Sequence, residues 1–295
     1  MARDIEDLPR AVIVISSHVV RGSVGNRAAV FALEQLGFPV WAVPTVVLPW
    51  HPGHGRGTRI VAPAAEFDAL MHDLQTAPWL GEIGAVLSGY LGDAAQASAV
   101  AGLVEAVKRR NPNAIYMCDP VCGDVGGLYV PDATAKAMRD RLLPLADIAT
   151  PNRFELQWLC GGKELPSNQA LAEAALELGV EKTLVTSSHG LMAGSIGNLL
   201  VSHKEVLLAE HRAISDVPSG TGDLAAALFL GHMMEGLKAE KALQMTAASV
   251  FEMAARAVKR GADQLMLQTD AHALVHPMAM VQTRRLMTSG GGRRA

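Results

Sequence analysis

The sequence predicts a single α/β domain, a mostly parallel sheet covered by helices with an antiparallel hairpin at one edge. Three observations predict it. Short continuous apolar runs, rich in β-branched residues, recur along the chain and read as strands buried on both faces. Longer segments with helical spacing lie between them, the alternation that parallel strands need for their crossovers. From Leu191 to Ala209 that rhythm gives way to short apolar stretches separated by turn residues, which suits antiparallel pairing.

The elements follow in order. AVIVIS, Ala11 to Ser16, is the first strand, and NRAAVFALEQLG the first helix, with Asn26 as its N-cap and Gly37 as its stop. FPVWAVPT is the second strand. GAVLSG precedes the helical DAAQASAVAGLVEAVKRRN, AIYMCDP precedes TAKAMRDRLLPLA, and DIATPN precedes RFELQWLCG. TLVTSSHG is another strand, followed by the edge segments LMAGSIGN, LLVSHK and EVLLAEH. Two long helices begin near Thr221 and Ala239. Residues 1–283 read as one domain and 284–295, ending TSGGGRRA, as a disordered tail in which Arg284, Arg285, Arg293 and Arg294 are solvated.

Composition narrows the function. With 295 residues, 49% hydrophobic and 19% charged, the chain can build a large core. A net charge of −3 argues against a broad nucleic-acid footprint. No uninterrupted apolar stretch reaches the roughly 18 residues a membrane helix needs. The segment MARDIEDLPR lacks the apolar core of a signal peptide, and the cysteine count is an odd 3, so a reducing cytoplasmic setting is expected. Cys118 and Cys122 are spaced CxxxC without a second Cys or His pair nearby, which does not make a zinc site.

In open α/β sheets, ligands bind beyond the carboxyl ends of the strands. The residues there are Ser17 and His18; Ser88, Gly89 and Tyr90; Asp119 and Asp124; Thr150, Asn152 and Glu155; and Thr186, Ser187 and Ser188. In DPVCGD, the two aspartates are either turn residues or carboxylates that hold a cation beside phosphates. In TPNRFE, Asn152 and Glu155 form a capping box or orient the waters of a magnesium ion.

SGTGDLAAALFLGH joins two glycines and an aspartate to an apolar helix. Gly220 and Gly222 let backbone approach a ligand closely, and the helix start near Thr221 offers free N–H groups to an anion. Asp223 in such a place is either a carboxylate that suits the helix dipole or a base that takes the proton of an attacking hydroxyl. The chain has no GxxxxGK[ST] loop, no GxGxxG between strand and helix, and no protein-kinase signature.

From about Ala11 to about Arg260 the chain resembles the ribokinase-like superfamily and, within it, the pyridoxal kinases. The resemblance rests on SHVVRGSVGNRAAVFALEQLGF, VLSGYLG, CDPVCGD, LADIATPNRFEL, TSS and GTGDLAAALFL, in that order. It implies a three-layer α/β/α sandwich and an ATP-dependent pyridoxal kinase of B6 salvage, using magnesium and potassium and commonly homodimeric. It implies Asp223 as base for the 5′-hydroxymethyl group, with an anion hole from the N–H groups of Gly220, Thr221 and Gly222. Asp119 and Glu155 would organise Mg2+, with Asp124 near the ATP phosphates. Asp119, Thr150 and Thr186 would surround the monovalent cation K+, and Thr186 and Ser187 the ATP phosphates. Ser17 would contact the pyridine ring, in a pocket lined by Val24, Val46, His51 and Tyr90.

One region departs from the family. Where a motif close to QFSNHTxY is usual, this chain has VLPWHPGHG, Val47 to Gly55. His51 is kept, while Pro52 and His54 stand at the threonine and tyrosine positions. Proline has neither N–H nor hydroxyl, so a polar contact to the ring is lost or replaced. This motivates a second expectation, a hydroxymethylpyrimidine kinase of the same fold; a non-catalytic B6-vitamer-binding protein is a third. With Pro52 and Gly53 between them and no carboxylate adjacent, His51 and His54 do not read as a metal site.

Overall fold

A computed structural model describes residues 10–286. In chain order it contains β1 (Ala11–Arg21), α1 (Asn26–Gln35), β2 (Val40–Trp50), α2 (Ala64–Thr76), β3 (Ile83–Ser88), α3 (Gln96–Arg110), β4 (Ile115–Cys118), β5 (Gly123–Asp124), β6 (Gly127–Leu128), α4 (Asp132–Ala137), β7 (Ile148–Ala149), α5 (Arg153–Leu159), α6 (Asn168–Glu177), β8 (Lys182–His189), β9 (Ser195–Ser202), β10 (Val206–Arg212), α7 (Thr221–Met234), α8 (Ala239–Lys259), α9 (Ala271–Val275) and β11 (Gln282–Leu286).

Nine strands form one sheet in the order β11-β10-β9-β8-β7-β4-β3-β1-β2. The strands from β2 to β8 in that order run parallel, whereas β9, β10 and β11 are added antiparallel at the other edge. The expected α/β class, the mostly parallel sheet and the antiparallel edge are therefore present. A separate two-stranded ribbon, β5 with β6, stands outside the sheet.

Side-chain alternation explains the layers. Val12, Val14, Ala85, Leu87 and Met117 face a core shared with α1, α7, α8 and α9. Ile13, Ile15, Val86 and Tyr116 face the opposite core, closed by α2, α3 and α4. Leu199 and Val201 turn toward α5 and α6, while Leu200 turns to the α7 side. Each buried Val, Leu or Ile contributes about 1.5–3 kcal/mol relative to exposure, so both faces of the sheet are fixed in register.

Helix ends follow local chemistry, with one correction. Asn26 does not cap α1: the N-cap is Gly25, which has no side chain to offer. Asn26 instead donates from Nδ2 to the Val43 carbonyl at 3.1 Å and ties α1 to β2. Gly37 stops the helix as expected, with φ +87°, its N–H bonded to the Glu34 carbonyl at 2.9 Å and the Phe38 N–H to the Leu33 carbonyl at 3.0 Å. The segment after α4 leaves regular helix earlier than its apolar spacing suggests. It passes through a π turn at Met138–Leu142 into Leu143–Leu145, where Pro144 lacks the N–H to continue.

The tail expected from residue 284 is also corrected. Leu208 pairs with Arg284 and Leu207 with Arg285, so β11 continues through Leu286. Arg284 is drawn in because its Nε lies 3.4 Å from Oε1 of the buried Glu210, and Arg285 contacts Glu205 at 2.6 Å. TSGGGRRA lies outside the described residues.

Candidate active site

The carboxyl ends of β1, β2, β3, β4, β7 and β8 surround a cavity of about 470 Å3. The N-terminus of α7 closes one side. Residues 51–60 close another; this segment leaves β2 and folds back on it through paired backbone bonds between Val47 and Ile60, at 2.8 and 3.0 Å. The β5–β6 ribbon forms a third wall, held by the Tyr129 N–H on the Cys122 carbonyl at 3.0 Å.

Two glycines bring α7 against β1 and α1. Gly220 has φ +103°, and a Cβ there would lie 2.0 Å from the Ser23 carbonyl oxygen. Gly25 has φ +55°, and a Cβ there would lie 2.3 Å from the Ser17 carbonyl oxygen. Both positions exclude side chains on two counts, backbone conformation and space. Gly222 differs: a Cβ there meets nothing within 4 Å, because its open side faces the cavity.

The first bond of α7 runs from the Leu224 N–H to the Gly220 carbonyl, 3.0 Å, and no side chain caps the helix. The N–H groups of Gly220, Thr221 and Gly222 are left for an anion. Asp223 stands in that first turn. Burial pushes its pKa up to about 6, against stabilisation from the Gly25 N–H and its own N–H.

Opposite lie two further carboxylates. Asp119 receives the Thr150 hydroxyl on Oδ1 at 2.9 Å. Its pKa is raised well above the ordinary range by burial, then by the Glu155 and Asp223 charges. Glu155 caps α5 reciprocally with Asn152, so the capping-box alternative is realised. Its Oε1 accepts from the Cys122 N–H at 3.0 Å and, more weakly, from the Gly123 N–H at 3.4 Å; its Oε2 accepts from the Asn152 N–H at 2.8 Å. Burial nonetheless pushes Glu155 up to about 7. Asp124 also fulfils its turn role, accepting from the Gly126 N–H at 2.8 Å while lining the cavity.

Among the described residues no lysine or arginine lines this cavity, although Asp119, Asp124, Glu155 and Asp223 all do. A free anion binding there would meet carboxylates with no side-chain cation to offset them. Cations that arrive with the ligand relieve that repulsion. The residues present therefore fit a metal-bound polyphosphate.

Of the residues singled out in the sequence, Ser17, Val24, His51, Tyr90, Asp119, Asp124, Thr150, Glu155, Thr186, Gly220, Gly222 and Asp223 share the cavity wall. Val46, Ser187 and Thr221 do not line it. Val46 is sealed in the core, and Ser187 stands exposed with φ +55° where β8 shifts register. Thr221 begins α7, which leaves only its N–H to serve the anion site. The wall also contains Val19, Leu48, Pro52, Gly53, Val121, Tyr129 and Ser219. Tyr129 had a sequence signal in its place after the glycine-rich turn that DPVCGD begins. Leu48 and Val121 had none, being apolar residues among many.

The chain is also similar to known proteins. Residues 64–268 match the family model described as phosphomethylpyrimidine kinase. The pyridoxal kinase PdxY of Rubrobacter xylanophilus is 38% identical over 281 residues, covering 93% of this chain and 97% of that protein. The pyridoxal kinase PdxY of Corynebacterium diphtheriae is 34% identical, covering 93% and 99%. Among solved structures, a pyridoxal kinase from Leishmania donovani in complex with ADP and pyridoxamine superposes with a TM-score of 0.87 at 26% identity, covering 94% of this chain and all of that one.

Proposed function

The chain belongs to the pyridoxal kinase family and is an ATP-dependent kinase of pyridoxal, and from that premise we propose how its own residues carry the transfer. The observation that carries the assignment is the pairing of Asp223 with the free N–H groups of α7, in a cavity whose other charges are all carboxylates.

Pyridoxal lies with its ring near Ser17, Val24, His51 and Tyr90, and its 5′-hydroxymethyl group reaches Asp223. Asp223 accepts the hydroxyl proton as the oxygen bonds to the terminal phosphorus of ATP, while the bond from that phosphorus to the ADP oxygen breaks. The N–H groups of Gly220, Thr221 and Gly222 stabilise the charge on the transferring group. The open space over Gly222 suits that close approach.

Mg2+ would be held through Asp119, whose second oxygen has no partner among the described residues, and would neutralise phosphate charge. Glu155 adds negative charge beside it rather than a free oxygen, because its oxygens are occupied by the backbone N–H groups of Cys122, Gly123 and Asn152. K+ would sit among Asp119, Thr150 and Thr186, with the ATP phosphates near Asp124 and Thr186.

The test is a panel of pyridoxal, pyridoxine, pyridoxamine and hydroxymethylpyrimidine with Mg-ATP, read as kcat/KM. Highest turnover of pyridoxal is expected. The description of the matching family model and the altered segment Val47 to Gly55 favour a second reading, hydroxymethylpyrimidine as the better substrate. The same panel decides between them.

We also infer a cytoplasmic homodimer. Three free cysteines suit a reducing compartment, and no helix among the described residues is long and apolar enough to cross a membrane. Sedimentation velocity tests the dimer.

A further inference from the structure

His51 begins a single helical turn, Pro52–His54, at the mouth of the cavity, and it caps that turn with its own ring. The Gly53 N–H donates to His51 Nδ1 at 3.1 Å. A nitrogen that accepts this bond carries no proton. In the neutral ring the proton must then sit on Nε2, on the opposite side of the imidazole. Nε2 has no protein partner among the described residues, and His51 lines the cavity.

The turn is built around this bond. A Cβ on Gly53 would lie 2.9 Å from His51 Nδ1 and 3.2 Å from Cε1, so only glycine lets the ring approach its N–H this closely. Pro52 fixes the first position of the turn, where a missing N–H costs nothing. His54 meets the His51 ring edge-on, with centroids 6.3 Å apart. The turn is anchored on both sides. Trp50 Nε1 donates to the Gly55 carbonyl at 3.1 Å, and Arg59 reaches across to the Gly92 carbonyl. Burial, and then the proximity of His54, lower the pKa of His51, which favours the neutral ring.

We propose that the Gly53 N–H is a positioning group that locks His51 in its Nε2–H tautomer, so that this wall presents a hydrogen-bond donor and selects a substrate ring with an acceptor facing it. The inference rests on the substrate placement proposed above. Gly53 acts through His51 and touches no reacting atom.

Nitrogen-15 NMR of the histidine rings in the ligand-free protein tests the lock without any turnover. The Nε2–H correlation pattern is expected for His51, and Gly53→Ala is expected to replace it with a mixture of tautomers. An Nδ1–H pattern in the unaltered protein overturns the proposal, whatever the enzyme phosphorylates. Two side-chain variants then separate the ends of the ring. His51→Asn keeps an acceptor near Nδ1 and loses the donor. His51→Gln keeps a donor near Nε2 and loses the cap. His51→Asn is expected to raise the KM for pyridoxal about three- to tenfold, the effect of one lost hydrogen bond. His51→Gln is expected to raise it less, and the KM for ATP should stay unchanged in both. Equal KM values for pyridoxal in the two variants would overturn the donor role. Cooperative thermal unfolding of each variant confirms that a folded protein is being compared.

Discussion

The Thr150 hydroxyl donates a hydrogen bond to Asp119 across 2.9 Å, in a wall whose other charged side chains, among the described residues, are carboxylates. The bond fixes one oxygen of Asp119 and leaves the other toward the cavity. It ties the end of β4 to the residue that follows β7. The ends of the central strands thus hold the carboxylate proposed to bind the cation, while α7 holds the proposed base.

Removing the base should abolish most of the chemistry. Asp223→Asn is expected to lower kcat by about 10²–10⁴-fold, the usual contribution of a positioned base, with little change in the KM for ATP. Steady-state kinetics with each substrate varied checks this.

The same residue sets an acid limb. Asp223 accepts a proton only when ionised, and burial raises its pKa to about 6. As pH falls through that value the protonated fraction grows and kcat/KM should drop. The inflection is expected near 6 rather than near the ordinary aspartate value of 3.8. Residual turnover of Asp223→Asn should lack it, and a pH–rate profile of both proteins is the check.

Two glycines in one motif should fail differently. Gly220→Ala places a methyl group 2.0 Å from a backbone oxygen at φ +103°. A loss of stability of about 1–3 kcal/mol or more is expected, read from urea unfolding. Gly222→Ala meets no protein atom. It should unfold like the parent protein while the methyl group, entering the phosphate space, lowers kcat/KM for ATP.

Cation binding should depend on pH in a defined direction. Burial raises Glu155 to about 7 in the folded chain, against the ordinary glutamate value of 4.5. The folded state therefore binds more protons in that window. The stability this confers is full below about 4.5 and is lost as pH rises through about 7. Calorimetry of metal-free protein should show Tm falling from about pH 5 to about pH 8. Added magnesium or potassium should recover more of it at the higher pH, and Thr186→Val should weaken the potassium response.

At the far edge, Arg284→Ala removes the cation facing Glu210, whose side chain has no exposed surface. Glu210 keeps its donors on Oε2 from Leu191, Met192 and Ser195, while Oε1, which accepts no hydrogen bond among the described residues, loses its ion-pair partner. Because Arg284 is itself well exposed, a loss of no more than about 1 kcal/mol is expected in denaturant titration.

The sequence shows most of this fold because its signals are local. The run AVIVIS and the apolar stretch after Gly222 can only be buried, and Gly37 stops a helix by its own backbone freedom. The proposed catalytic groups are legible for the same reason: glycine, aspartate and apolar helix stand adjacent at Gly220 to Leu224. What escapes is set by distant partners. Arg284 joins a strand because Glu210 is buried many residues earlier, and Asn26 leaves its cap for a carbonyl on β2. Leu48 and Val121 enter the wall through the folding back of their segments, which no spacing in their own neighbourhood records.

The helix that carries Asp223 is buried on all sides from Leu224 to His232, whereas residues 51–60 lie on the rim and hold to the molecule by a handful of bonds. Change is therefore cheap at one end of the substrate and forbidden at the other. A lineage or an engineer can exchange the rim segment and reset which heterocycle is welcomed, while the transfer step passes through unaltered. Diversity among relatives should concentrate in the rim residues that follow His51, and silence should reign around Asp223.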